Sequence, residues 1–106
     1  GQWWPVVDES RLSDGAAFGA DCGALRIAVY QVAGALYATD SLCTHAFVPL
    51  EDGMLDGYEI ECPVHQARFN VRNGECRRFP ADKPLRVFQT RREAGVVQVW
   101  IPAGTV

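Results

Sequence analysis

No stretch of the 106 residues approaches the ~18–20 consecutive apolar positions that a membrane-spanning helix requires, so that reading is excluded. The opening residues, 1–5, carry neither a basic start nor an apolar h-region, and no secretory signal is expected. Basic charge is scarce as well. Ten Lys and Arg against thirteen Asp and Glu leave a net charge of −3, which argues against a general binder of nucleic acid or of anionic membranes. Helical periodicity is nearly missing, and there is neither an internal repeat nor a low-complexity segment. The chain has only two histidines and four cysteines. An even cysteine count invites a disulfide framework, but that expectation belongs to secreted proteins.

What is present is period-two alternation broken by closely spaced turns, in a chain the length of about one domain. Residues 25–30 alternate with Leu25, Ile27 and Val29 on one face, and a turn at 32–34 leads into a second strand at 35–39. Residues 85–90 alternate again and, after a turn at 93–95, are followed by a strand at 96–101. A weaker strand covers 16–20, and residues 10–14 suit one helical turn. Many short strands with glycine turns predict an all-β sandwich or barrel. Residues 40–84 differ. They hold both histidines and the turn pairs Asp52-Gly53, Asp56-Gly57 and Asn73-Gly74. A loop-built lobe (40–84) set into a base formed by 1–39 and 85–106 is therefore expected, within one domain.

Each histidine lies within three residues of a cysteine: Cys43-Thr44-His45 and Cys62-Pro63-Val64-His65, with sixteen residues between the two motifs. Thiolate and imidazole are transition-metal ligands, and each pair is short enough to sit on one loop and address one site. Zinc sites usually pair cysteine with cysteine and histidine with histidine, whereas here each motif is mixed. A two-iron cluster accommodates this better, with Cys43 and Cys62 on one iron and His45 and His65 on the other. A zinc-bound structural module, a Cys43–Cys62 disulfide, and merely buried side chains are the other readings. Cys22 and Cys76 lie in no ligand motif and read as ordinary cysteines.

At these residues the chain resembles the Rieske proteins, whose pattern is Cys-x-His, a spacer, then Cys-x-x-His. The flanking segments 37–45 and 60–71, the proline-containing segment 79–84 and the last hairpin are similar to small Rieske ferredoxins of bacterial aromatic-ring-hydroxylating dioxygenases. Gln66 and Asn70 stand where many members have Gly and Asp. The resemblance implies a Rieske fold, an antiparallel β sandwich or barrel-like base with a cluster-binding lobe. It implies one [2Fe-2S] cluster per chain, held by Cys43, His45, Cys62 and His65, with a further loop covering it near Phe79-Pro80. It implies a cytoplasmic, monomeric one-electron carrier between an NAD(P)H-dependent flavoprotein ferredoxin reductase and a terminal oxygenase, and not an enzyme itself. Oxygenase chains are far longer and add a mononuclear iron site, for which no histidine is left here. A Rieske subunit of a monooxygenase or another oxidoreductase complex is the alternative.

Two neutral imidazoles in place of two thiolates leave the oxidised cluster uncharged and the reduced one at −1, which raises its potential into the range of roughly −150 to +300 mV. High-potential Rieske proteins add a disulfide between the ligand loops, and a serine and a tyrosine that donate to the sulfurs. The matching positions here are Val48, Val64, Ala67 and Phe69, so the low end of the range is expected. Charge is segregated. Between Ile27 and Ala67 there are six acidic residues and no Lys or Arg, and from Arg68 onward eight basic residues meet three acidic ones. Acidic groups around a redox site would steer it toward basic partners. Phe69 and Phe79 are expected to keep water from the sulfurs, with Phe47 open between that role and partner contact. Trp3, Trp4 and Trp100 are expected to close the β core.

Overall fold

The computed structural model describes residues 1–79 and 83–105. Eleven strands run through them in three antiparallel sheets: β1 (Gln2–Asp8), β2 (Ala17–Cys22), β3 (Leu25–Val32), β4 (Ala35–Asp40), β5 (Met54–Asp56), β6 (Glu59–Glu61), β7 (Arg68–Asn70), β8 (Cys76–Arg78), β9 (Val87–Phe88), β10 (Thr90–Glu93) and β11 (Val96–Ile101). The sheet orders are β1-β11-β10, β2-β3-β4-β9 and β5-β6-β7-β8. No helix among the described residues is long and apolar enough to cross a membrane.

Strand β3 is the shared wall of the molecule. Its alternation sends Leu25, Ile27 and Val29 into a core with Val7, Leu12, Val97, Val99 and Ile101. The opposite face is buried too: Ala28 and Tyr30 enter a second core with Cys43, Leu50, Ile60, Cys62 and Phe69. A fully buried tyrosine needs a hydrogen-bond partner, and the Tyr30 hydroxyl has one in Thr39, 2.9 Å away across the hairpin. The base and the cysteine-bearing lobe thus meet on the two sides of one strand.

Three features differ from the sequence reading. The alternating run 85–90 is not one strand but changes sheets at Gln89: Val87 and Phe88 pair with β4, whereas Thr90–Glu93 pair with β11. The pull toward β4 comes from Arg86, whose guanidinium and backbone N–H all bond the Asp40 carboxylate. The N-terminal strand β1 was masked in sequence by two adjacent tryptophans and Pro5. It is an edge strand with a register irregularity between Pro5 and Val7, the setting that tolerates a proline lacking an N–H donor. Trp3 stands edge-on to Trp100 at 5.5 Å, with Arg91 over its ring, and Trp4 packs on the base core. Finally, the lobe is more than loops. Short strands joined at Gly57 and near Gly74 give it a four-stranded sheet, and the ligand motifs sit on the loops this sheet supports.

Candidate metal centre

Two loops carry the four predicted ligands. The first runs from the end of β4 to the start of β5 and is pinched by a bridge between Leu42 and Pro49. The second, 62–67, is the connection of the β6–β7 hairpin. Both close by the same bond. The Cys43 N–H donates to the Val48 carbonyl at 2.9 Å, and the Cys62 N–H donates to the Ala67 carbonyl at 2.7 Å. Each cysteine therefore opens a six-residue loop returning to the same point.

The histidine comes two residues after the cysteine in one loop and three after it in the other. The longer interval is absorbed by left-handed backbone at His65 (φ 63°) and Gln66 (φ 60°); the first loop has one such residue, Phe47 (φ 56°). Left-handed backbone in a non-glycine residue is strained by roughly 1–2 kcal/mol. Gln66→Gly is therefore expected to stabilise the protein by about 0.5–1 kcal/mol, read as a higher unfolding midpoint with an unchanged visible spectrum.

The structure brings like donors together. Cys43 and Cys62 are fully buried, and their side chains interact with each other. Burial pushes the Cys62 thiol pKa up, the Val64 N–H donating to its sulfur opposes this, and Cys43 adds to the rise. The exposed rings of His45 and His65 meet edge to face, 5.4 Å between centroids. Among the described residues, no three His, Cys, Asp or Glu side chains gather as a single ion would need. Two thiols paired inside and two imidazoles paired outside suit a two-iron cluster, in which each iron takes one like pair, better than the four-ligand shell of a structural zinc.

Ala67 and Phe69 are fully buried in the core that contains both cysteines, and neither side chain can donate to a sulfur. The Val64 backbone donor was invisible in sequence because every residue except proline carries one. Phe69 is buried beside both cysteines, where the expected shielding would place it, whereas Phe79 is 85% exposed. The rest of the expected covering loop falls on residues 80–82, outside the described ones. At its far end the Lys83 carbonyl accepts from both the Thr44 hydroxyl and the Cys76 thiol, each at 2.8 Å. Thr44 thus ties Lys83 to the first loop and Cys76 ties it to β8, a role the lone position of Cys76 in sequence did not suggest. Cys22 is buried in the base core.

The acidic segment is neutralised by arginines from elsewhere in the chain. Asp40 pairs with Arg86, Glu51 with Arg26, and Asp56, Glu59 and Glu61 with Arg68, the last two also with Arg77 and Arg78. Five of the six acids expected to steer partners are ion-paired, which leaves little of the expected field.

Residues 2–89 match the Rieske [2Fe-2S] domain. The ferredoxin component of the naphthalene 1,2-dioxygenase system of Pseudomonas putida is 37% identical over 92 residues, covering 87% of this chain and 88% of the relative. Among solved structures, a chain in the complex of reduced oxygenase and oxidised ferredoxin in carbazole 1,9a-dioxygenase superimposes with a TM-score of 0.86 at 39% identity, covering 92% of this chain and 91% of that one. The ferredoxin of carbazole 1,9a-dioxygenase from Nocardioides aromaticivorans IC177 gives 0.88 at 28% identity, covering 93% and 97%. With its paired ligand loops set in this all-β frame, the chain belongs to the Rieske [2Fe-2S] family.

Proposed function

We propose that the protein is a cytoplasmic Rieske ferredoxin that carries one electron at a time from an NAD(P)H-dependent flavoprotein reductase to the terminal oxygenase of an aromatic-ring-hydroxylating dioxygenase system. The chain acts as a single unit, with Cys43 and Cys62 as ligands of one iron and His45 and His65 as ligands of the other. The observation that carries this reading is the radial order of the donors: the thiols are buried and the imidazoles are exposed. These residues would hold a cluster with its histidine side toward solvent, where a partner could reach it, and with Ile60, Ala67 and Phe69 packed in the core on its cysteine side. When bound, the cluster supplies a one-electron couple.

The ligand loops also expose apolar side chains: Phe47 is 72% exposed, and Leu42 and Val64 are exposed as well. A small apolar contact suits electron-transfer encounters, which are brief and bury little area. Reconstitution with reductase and candidate oxygenases, assayed for hydroxylated product, tests the role; no product with any oxygenase of this class would overturn it. A redox titration is expected to give a midpoint of about −150 mV, because the buried neighbours offer no hydroxyl to the sulfurs. Ala67→Ser is expected to raise it by about 40 mV, the equivalent of roughly 1 kcal/mol for a one-electron couple.

A further inference from the structure

The Glu51 carboxylate lies near the end of the first ligand loop and is only 8% exposed. It joins three places distant in sequence. One oxygen accepts from the Ser41 hydroxyl at 2.6 Å, and the other accepts from the Arg26 guanidinium at 3.0 and 3.3 Å. Ser41, fully buried, stands two residues before Cys43. Its backbone N–H donates to the Arg26 carbonyl at 2.9 Å, and its own carbonyl accepts from the Leu50 N–H at 2.7 Å. The two ends of residues 41–51 therefore close on one point, and that point is fastened to β3. Arg26 is itself held by Asp21 on β2.

The seat for the carboxylate is Gly19 on β2. A Cβ there would run into the Glu51 carboxyl group and come within 2.8 Å of the Arg26 guanidinium. Gly19 has no left-handed backbone to explain it; it is absent from the positive-φ glycines. What it provides is space. The obstructed group is the end of a flexible side chain, so a methyl at 19 would leave the sheet intact and evict the carboxylate. Eviction would strand the buried Ser41 hydroxyl without its acceptor, which costs more than the bond itself is worth.

We propose that Glu51 is a positioning residue for the metal centre, bolting the loop that presents Cys43 and His45 onto the β2–β3 sheet through Ser41 and Arg26, with Gly19 as the seat that admits it. The inference rests on the ligand reading above only in taking Cys43 and His45 as the groups positioned. A fixed ligand shell is held by packed neighbours, and a shell that loosens samples more than one geometry.

The test is a double-mutant cycle on the holoprotein with Gly19→Ala, Glu51→Ala and the pair. The readouts are the rate of cluster bleaching at fixed temperature and the electron paramagnetic resonance signal of the reduced cluster. Each single variant is expected to bleach about tenfold faster and to split the signal into two components, because each removes the same bolt. The double variant is expected to be no worse than Glu51→Ala alone, since with the carboxylate gone the methyl meets only the end of the Arg26 side chain, which can swing aside. Multiplicative losses in the double variant would overturn the proposal, as would faster bleaching with an unaltered signal, which marks a purely structural role. If Gly19→Ala fails to fold, Glu51→Ala must restore folding to it, and absence of rescue is equally fatal. A native cluster surviving His65→Ala would instead indict the ligand reading and leave this cycle interpretable.

Discussion

Replacing His65 with alanine is expected to abolish the visible spectrum of the native cluster while leaving the β fold in place. The reason for the asymmetry is where the side chain stands. His65 is exposed, so its removal deletes almost no packing, and the loop closure between the Cys62 N–H and the Ala67 carbonyl does not involve its ring. Left-handed backbone at 65 is retained by alanine at a similar strain. What is lost is one of two imidazoles, and an iron left with an incomplete ligand set is not retained. His45→Ala is expected to do the same from the other loop. The measurement pairs visible absorption and iron and sulfide analysis with far-ultraviolet circular dichroism. Retention of the native spectrum at full iron content would refute the assignment. Zinc with no sulfide in the wild-type protein would refute the cluster.

A second large effect is expected from Gly53→Ala, where the damage begins in the fold and reaches the site. Gly53 ends the short 3-10 turn Leu50–Asp52, and its backbone (φ −88°) is open to any residue. The constraint is contact: a Cβ would run into the Glu61 carbonyl, one residue before Cys62, and lie 3.1 Å from the Leu50 carbonyl. Both obstacles are backbone, so no rotamer change relieves them, in contrast to the side-chain obstacle at Gly19. The end of the first ligand loop meets the last residue of β6 at this point, and forcing the two apart displaces the strand that leads into Cys62. Overpacking of this kind costs about 1–3 kcal/mol, which for a domain of this size lowers the unfolding midpoint by roughly 5–20 °C. Cluster content on purification is expected to fall with it. Met54→Ala, on the next and exposed residue, is the control and is expected to leave both unchanged. Equal behaviour of the two variants would show that the approach of Gly53 to Glu61 carries no weight.

The ligand motifs were legible because metal chemistry is local. Two donors that address one site from one loop must lie within a few residues, and so the pairs Cys43/His45 and Cys62/His65 stand out without any knowledge of the fold. Hairpin β3–β4, strand β11 and the turn before it were legible for a similar reason, since period-two alternation and a glycine turn are both short-range. Where two demands overlap, the pattern fails. Alternation put Leu25, Ile27 and Val29 on one face of β3, but Ala28 and Tyr30 on the other face are buried too, under the lobe. The run 85–90 looked continuous, yet it serves two sheets because Asp40 holds Arg86 on one of them.

By itself, then, the sequence picked out which side chains carry metal-ligand chemistry and how they pair along the chain, and that strands and turns frame them, because each of these depends on neighbours along the chain. Only the tertiary structure decided that the thiols lie inside and the imidazoles outside. It also decided that an acidic segment is cancelled by arginines up to 46 residues away, and that Gly19 and Gly53 are needed for space rather than for turning. The physical reason is common to all three. Burial, ion pairing and steric contact are set by distance in space, and the separations that matter here are closed only when β3 is covered on both faces.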